Sequence, residues 1–242
     1  MDNYLDNEDA MKQKIVGIIP ARGGSKGIPR KNLYNFCGKP LIAYTIEASL
    51  NSKYIDKTIL STEDDEIASI AEKYGAEVIK RPVELAQDET KTAPVLEHVV
   101  NSLVKTGYNP DIIVTLQPTS PLRGANIIDQ VIEKLKNTNS DSVFTGNKVF
   151  KYQPRWERDE NGKLKALYDY HLRPRRQEVT EFCYEENGAV YAITFEAFKK
   201  RPDMLGDNVE FVEMNQFESV ELDTEFDLFF IEQLIKHKKG FR

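Results

Sequence analysis

Residues 15–32 read Ile15-Val16-Gly17-Ile18-Ile19-Pro20-Ala21-Arg22-Gly23-Gly24-Ser25-Lys26-Gly27-Ile28-Pro29-Arg30-Lys31-Asn32. The first six are almost continuously apolar, the mark of a strand buried on both faces of a parallel sheet. The remainder of the stretch cannot be core, because Gly23, Gly24 and Gly27 alternate with Arg22, Lys26, Arg30 and Lys31. The glycines permit positive φ and leave their amides uncovered, so successive N–H groups can turn inward as an anion-binding nest. Four cations around such a nest suit a triphosphate. A solvated basic turn is the bland alternative, and the position straight after a buried strand weighs against it. Both the P-loop pattern and the G-x-G-x-x-G fingerprint are absent. Gly38-Lys39-Pro40 puts a proline at a first helical position, with Leu41, Ile42, Thr45, Ile46 and Ser49 facing inward behind it. A long irregular loop therefore separates strand from helix, unlike a Rossmann turn, where the helix N-terminus holds the pyrophosphate. This loop must wrap its ligand with its own groups, among them Gly23, Gly24, Ser25 and Asn32.

The chain has 242 residues, a net charge of −6 and 40% hydrophobic residues. That suffices for one large α/β domain, expected over 14–242, behind a polar tail at 1–13 expected to be disordered. An acidic chain is a poor nucleic-acid surface, and no apolar run is long enough to cross a bilayer, so neither nucleic acid nor membrane is expected as a partner. Cys37 and Cys183 show no paired spacing and read as free thiols of a reducing cytoplasm. His98, His171 and His237 have no partner at metal-ligand spacing.

Residues 56–62 read as a second strand and 76–80 as a third, joined by a helix that Glu63-Asp64-Asp65 caps and Gly75 ends. The rhythm predicts a doubly wound, mostly parallel sheet. Arg81-Pro82-Val83-Glu84-Leu85-Ala86-Gln87-Asp88 is then a loop at the carboxyl edge of that sheet, where open α/β folds bind ligands. Helix 90–106 leads to the strand 111–116, which empties into Gln117-Pro118-Thr119-Ser120-Pro121-Leu122-Arg123, a turn stiffened by two prolines. A helix at 124–136 and a strand at 141–149 come next. Between 150 and 186 aromatic residues mix with arginines, a composition enriched at protein–protein interfaces. Strands are predicted at 187–193 and, near the sheet edge, at 208–214. In Ser219-Val220-Glu221-Leu222-Asp223-Thr224, strand alternation would put Glu221 and Asp223 on one face and Val220 and Leu222 in the core. Thr224 with Asp227 reads as a capping box opening the last helix. Two carboxylates aimed at a polyphosphate site suit Mg2+; two solvated acids at a strand end are the alternative.

The ARGGSKGIPRKN loop, R-P-x-E-L-A-x-D, QPTSPLR, N-G-A-x-Y at 187–191 and the acidic motif together resemble the cytidylyltransferases that activate sialic acids, including those for legionaminic and pseudaminic acids. The resemblance spans about 14–238. It implies a nucleotide-diphospho-sugar transferase-like fold, CTP and a nonulosonic acid as substrates, and CMP-sugar and pyrophosphate as products. It places Arg22 and Lys31 at the reacting phosphates, Arg81 toward the cytosine, Gln117 and Arg176 toward the sugar, and Mg2+ on Glu221 and Asp223. Tyr191 is either a ligand-stacking ring or a core tyrosine, and Arg81 either a base contact or a salt-bridged loop arginine. The excursion at 150–186 would build a homodimer. The CMP-Kdo synthetases differ at QPTSPLR, which argues against Kdo. Glu221 stands where the family has aspartate, Glu63 stands at another usual aspartate and receives no role, and Pro154-Arg155-Trp156 departs from the sialic acid enzymes. A nucleotide-binding regulatory protein that lost turnover is the reading from a different class.

Overall fold

The computed structural model describes residues 13–151, 154–172 and 174–237. The tail expected at the N-terminus, together with Tyr152 and Arg173, lies largely or wholly outside them. Seven strands form one sheet: β1 Ile15–Pro20, β4 Lys57–Thr62, β5 Glu77–Lys80, β6 Ile112–Leu116, β7 Ser142–Phe150, β10 Phe182–Thr194 and β11 Val209–Glu213. Their order is β11-β7-β10-β6-β1-β4-β5. All neighbours run parallel except β10, which is antiparallel to both β6 and β7. The expected mostly parallel, doubly wound sheet is found, with β11 at its edge.

The near-continuous apolar run of β1 is explained by burial on both sides. Ile15 and Ile19 face α1 (Leu41–Leu50), α2 (Asp65–Lys73) and α4 (Ala125–Asn137) through Ile42, Ile46, Ile67, Ile128 and Val131. Val16 and Ile18 face α3 (Thr92–Lys105) and α5 (Phe195–Lys200) through Leu96, Val99, Val100 and Phe198. Each such side chain contributes about 1.5–3 kcal/mol of burial. Gly17 lets α1 lie close: a Cβ there would stand 2.6 Å from Ser49 Oγ.

The helix ends follow the sequence closely. Asp64 caps α2 by accepting from the amides of Glu66 and Ile67, and Gly75 (φ +94) ends it. Pro40 sits one residue before α1 rather than inside it, and α3 begins at Thr92 with Pro94 in its first turn. Two corrections arise. The connection after β1 is less irregular than its composition suggests: it contains a 3-10 turn at Lys31–Leu33 and a tiny hairpin of β2 Asn35–Phe36 and β3 Lys39–Pro40. And Ser219–Asp223 is not a strand. Ser219 ends a turn, and residues 220–223 join no sheet; Leu222 donates its amide to Thr119 O at 2.8 Å instead.

A third apolar cluster explains why that segment stays put. Leu222 is buried with Ile28 of the glycine loop, Phe36 of β2, Leu41 of α1 and Ile231 of α6 (Glu225–His237). The expected alternation survives only in part: Leu222 is buried and Asp223 exposed, but Val220 is half-buried like Glu221, and Ser219 is buried. The capping box is present, with Thr224 N and Oγ1 each donating to Asp227 Oδ2 at 2.8 Å and Asp227 N donating back to Thr224 Oγ1 at 3.3 Å.

The 150–186 excursion grows out of the β7–β10 ladder, which runs on to Phe182 opposite Phe150. It carries the small hairpin of β8 Trp156–Arg158 and β9 Leu164–Ala166. Trp156, Leu164, Leu172 and Tyr184 are exposed on it.

Candidate active site

From β1 the chain crosses to β4 and β5 on one side, then from β5 to β6 on the other side of β1, so the switch point lies between β1 and β6. The cavity found there measures about 250 Å3. Its walls come from the loop after β1 (Arg22, Ser25, Lys26, Lys31, Asn32), from Arg81, from the start of α3 (Thr90 to Thr92) and from the turn after β6 (Gln117, Pro118, Thr119). Sequence positions a hundred residues apart thus meet in one place.

The glycine loop is held from behind. Asn32 is buried and donates from Nδ2 to Arg22 O at 2.9 Å. Arg30, in the left-handed region at φ 55, pairs with Asp64 and Glu66 and ties the loop to the start of α2. Gly27 is required by contact, since a Cβ there would lie 2.3 Å from Asp223 O. Gly24 has open space around it, as a residue presenting its backbone to a ligand needs.

Lys31 Nζ lies 3.0 Å from Asp223 Oδ1 and donates to Leu222 O at 3.0 Å. Arg22 and Lys26 both pair with Asp88, at 2.5 and 2.9 Å. The two cations in turn hold the Asp88 carboxyl below its ordinary range, Lys26 most strongly. Arg81 is buried and held by backbone: its Nη2 donates to Ser61 O and its Nη1 to Leu85 O. Desolvation pushes its pKa down, opposed by Glu63.

Glu221 and Asp223 come together at the same edge. The Glu221 carboxyl is pushed up, first by burial and then by the neighbouring charge of Asp223. Gly188 (φ +68) makes room for it: a Cβ there would stand 2.6 Å from Glu221 Oε1. Thr119 Oγ1 donates to the same oxygen at 3.4 Å. Tyr191 is buried and donates to Glu186 Oε2 at 2.9 Å; burial raises its pKa, and Glu186 raises it further. The side chain of Arg176 lies outside the described residues.

Two residues without a sequence-derived role hold this arrangement. Glu63 Oε1 accepts from Gly23 N at 2.6 Å, and its Oε2 stands 3.9 Å from Arg81 Nε. It links the glycine loop to the arginine at the neighbouring strand end. Arg123 is almost wholly buried, donating from Nη2 to Thr45 Oγ1 at 2.9 Å and to Gln117 O at 3.4 Å. Burial alone pushes its pKa down to about 9, which leaves it charged at neutral pH. The signal for Glu63 was its place at the end of a parallel strand; nothing in a terminal arginine of a turn announces burial.

The sequence profile of the family described as Cytidylyltransferase matches residues 16–238. The chain is 34% identical over 233 residues to a pseudaminic acid cytidylyltransferase of Campylobacter jejuni, covering 94% of this chain and all of that protein. It is 42% identical over 123 residues to the N-acylneuraminate cytidylyltransferase of Escherichia coli O18:K1:H7, covering 51% of this chain and 28% of that protein. Among solved structures it resembles a CMP:2-keto-3-deoxy-manno-octonic acid synthetase complexed with CTP (TM-score 0.66, 18% identity, 93% of this chain and 100% of the other). It also resembles a 4-diphosphocytidyl-2C-methyl-D-erythritol synthase from Anaerococcus prevotii (TM-score 0.63, 15% identity, 93% and 99%). At those identities the structural likeness speaks for the fold alone. With the profile spanning nearly every described element and a relative aligned from end to end, the chain belongs to the cytidylyltransferase family.

Proposed function

We propose that this enzyme transfers the cytidylyl group of CTP to a nonulosonic acid, with release of pyrophosphate. The observation that carries the reading is the cavity at the switch point, which gathers the basic glycine loop, Arg81 and the Gln117 turn. Its volume suits part of a nucleotide, with the rest of the ligand lying along its open side. The relative that aligns over its whole length is named for pseudaminic acid, which makes that sugar the first to test.

In the reaction, the sugar's C2 hydroxyl oxygen forms a bond to the α-phosphorus as its proton passes to solvent, and the bond from that phosphorus to the bridging oxygen of the β-phosphate breaks. Arg22, Lys26 and Lys31 stabilise charge on the phosphates and the departing pyrophosphate, and the amides around Gly24 add fixed donors. Arg81 and the backbone beside it hold the base, and Gln117 orients the sugar. Catalysis is then mostly positioning and electrostatics, as phosphoryl-type transfers allow.

Glu221 and Asp223 are the acids that would hold a divalent cation: Asp223 is near enough to disfavour the charge on Glu221, and the ion would displace the Lys31 ammonium that pairs with Asp223 at 3.0 Å. Among the described residues no cluster of three or more His, Cys, Asp or Glu is placed to hold an ion, so phosphate oxygens would complete the set, as is usual for Mg2+. Bound there, Mg2+ would neutralise charge on the polyphosphate. We further propose that the exposed aromatic face of 150–186 pairs two copies into a homodimer, and that the enzyme works in the cytoplasm, where Cys37 and Cys183 stay reduced. No helix among the described residues is long and apolar enough to cross a membrane.

The test is pyrophosphate release from CTP and Mg2+ with a panel of pseudaminic, legionaminic and N-acetylneuraminic acids. Release with one of them and none without sugar supports the reading; no release with any sugar, from protein that binds CTP, removes it. Titration calorimetry with GTP beside CTP checks the base: tighter GTP binding overturns the placing of cytosine at Arg81.

A further inference from the structure

Three groups that an anionic ligand would use at this site are already held by carboxylates of the same chain. Gly23 N donates to Glu63, while Arg22 and Lys26 are bridged by the two oxygens of Asp88. The two acids are not equivalent. The Glu63 side chain is largely buried and faces Arg81, so its departure would strand a buried cation. Asp88 is half-exposed, and its side-chain partners among the described residues are these two loop cations. Ion pairs this exposed are weak, whereas a phosphate offers more charge and more acceptor oxygens to the same donors. Asp88 also belongs to the segment that runs from Arg81 to Thr90, so it joins the wall on the base side to the loop on the phosphate side.

We propose that Asp88 is a displaceable placeholder, a positioning residue that holds Arg22 and Lys26 in the free enzyme, yields them to the ligand's phosphates, and reclaims them as pyrophosphate leaves. The inference rests on reading the cavity as the nucleotide site. It gives the acid a sign that a merely structural role would not have. Loss of a structural ion pair weakens ligand binding; loss of a competitor strengthens it.

The experiment is titration calorimetry of inorganic pyrophosphate and of CTP, both with Mg2+, against wild type, Asp88→Asn, Asp88→Ala, Lys26→Ala and Asp88→Asn with Lys26→Ala. Both Asp88 variants are expected to bind pyrophosphate about two- to thirtyfold tighter, the scale of two exposed pairs, and to be inhibited by it at correspondingly lower concentration. In the Lys26→Ala background the gain from Asp88→Asn should shrink, because one of the contested cations is gone. Unchanged or weaker pyrophosphate binding by the variants, with wild type binding normally, overturns the role of Asp88 and leaves the nucleotide site standing. If wild type binds neither pyrophosphate nor CTP, the site reading and this inference fall together.

Discussion

Lys31 Nζ and Asp223 Oδ1 stand 3.0 Å apart, although 192 residues separate them in the chain. The contact joins the basic loop after the first strand to the acidic motif before the last helix. It exists because Ile28 and Leu222, each a few residues or fewer from the pair, are buried in one apolar cluster. Cation and acid therefore hold each other in place ahead of any ligand.

From this pairing the two acids are expected to respond unequally to substitution. Asp223→Asn keeps the shape and removes the charge, and should lower turnover by about two powers of ten, the scale of one preorganised electrostatic group. Glu221→Gln should cost less, because that carboxyl already has its pKa raised by burial. Glu221→Asp should be tolerated. Turnover against Mg2+ concentration at saturating CTP measures all three; wild-type behaviour of Asp223→Asn would move the metal elsewhere.

Gly27→Ala tests the packing between the same loops. Its methyl would meet the Asp223 carbonyl at 2.3 Å, a backbone atom that cannot swing away. We expect a loss of about 1–3 kcal/mol of stability, the usual range for overpacking, together with weaker Mg2+ dependence as Asp223 shifts. Gly24→Ala, with open space around it, should leave stability within about 0.5 kcal/mol. Urea unfolding of the pair gives the comparison; equal stability would show that the loops are not in contact.

Glu63 predicts a difference between shape and charge. Glu63→Ala removes the acceptor of Gly23 N and leaves Arg81 without its neighbouring acid, which should cost about 1–3 kcal/mol. Glu63→Gln keeps an acceptor for Gly23 and should recover part of that. If the two variants unfold at the same urea concentration, the hydrogen bond to Gly23 carries no weight.

Asp64 supplies a pH dependence. The hydrogen bond from Arg30 holds its carboxyl below the ordinary range, with help from the amides of Ile67 and Glu66 and against the opposing effect of burial. A carboxyl depressed in the fold stabilises it above the unfolded value of about 3.9, and that stability is lost as pH falls through the lower folded value. Asn caps a helix as well as Asp does. Asp64→Asn should therefore keep α2 but lose less stability than wild type between about pH 6 and pH 3, measured by urea midpoints. A wild-type acid profile in the variant would remove Arg30 from the account.

What the sequence determined by itself was local. A buried strand, the glycines and cations behind it, an N-cap at Asp64 and a capping box at Thr224 all act over a few residues, so their spacing is enough to read them. That the loops at 21–32, 81–88 and 117–123 follow buried strands and lie at the carboxyl edge came from the rules of parallel sheets, whereas the strand order and the antiparallel setting of β10 came only with the tertiary structure. The tertiary structure alone decided which charges face which. Glu63 reaches Gly23, Asp88 bridges Arg22 and Lys26, and Arg123 is buried against a hydroxyl and a carbonyl, all through side chains brought together by packing. It also corrected the acidic motif. The alternation of Val220, Glu221, Leu222 and Asp223 looked like a strand because burial of Leu222 on one side imposes the same period. Yet among the described residues no neighbouring strand pairs with it, and the apolar cluster with Ile28 holds it in place instead.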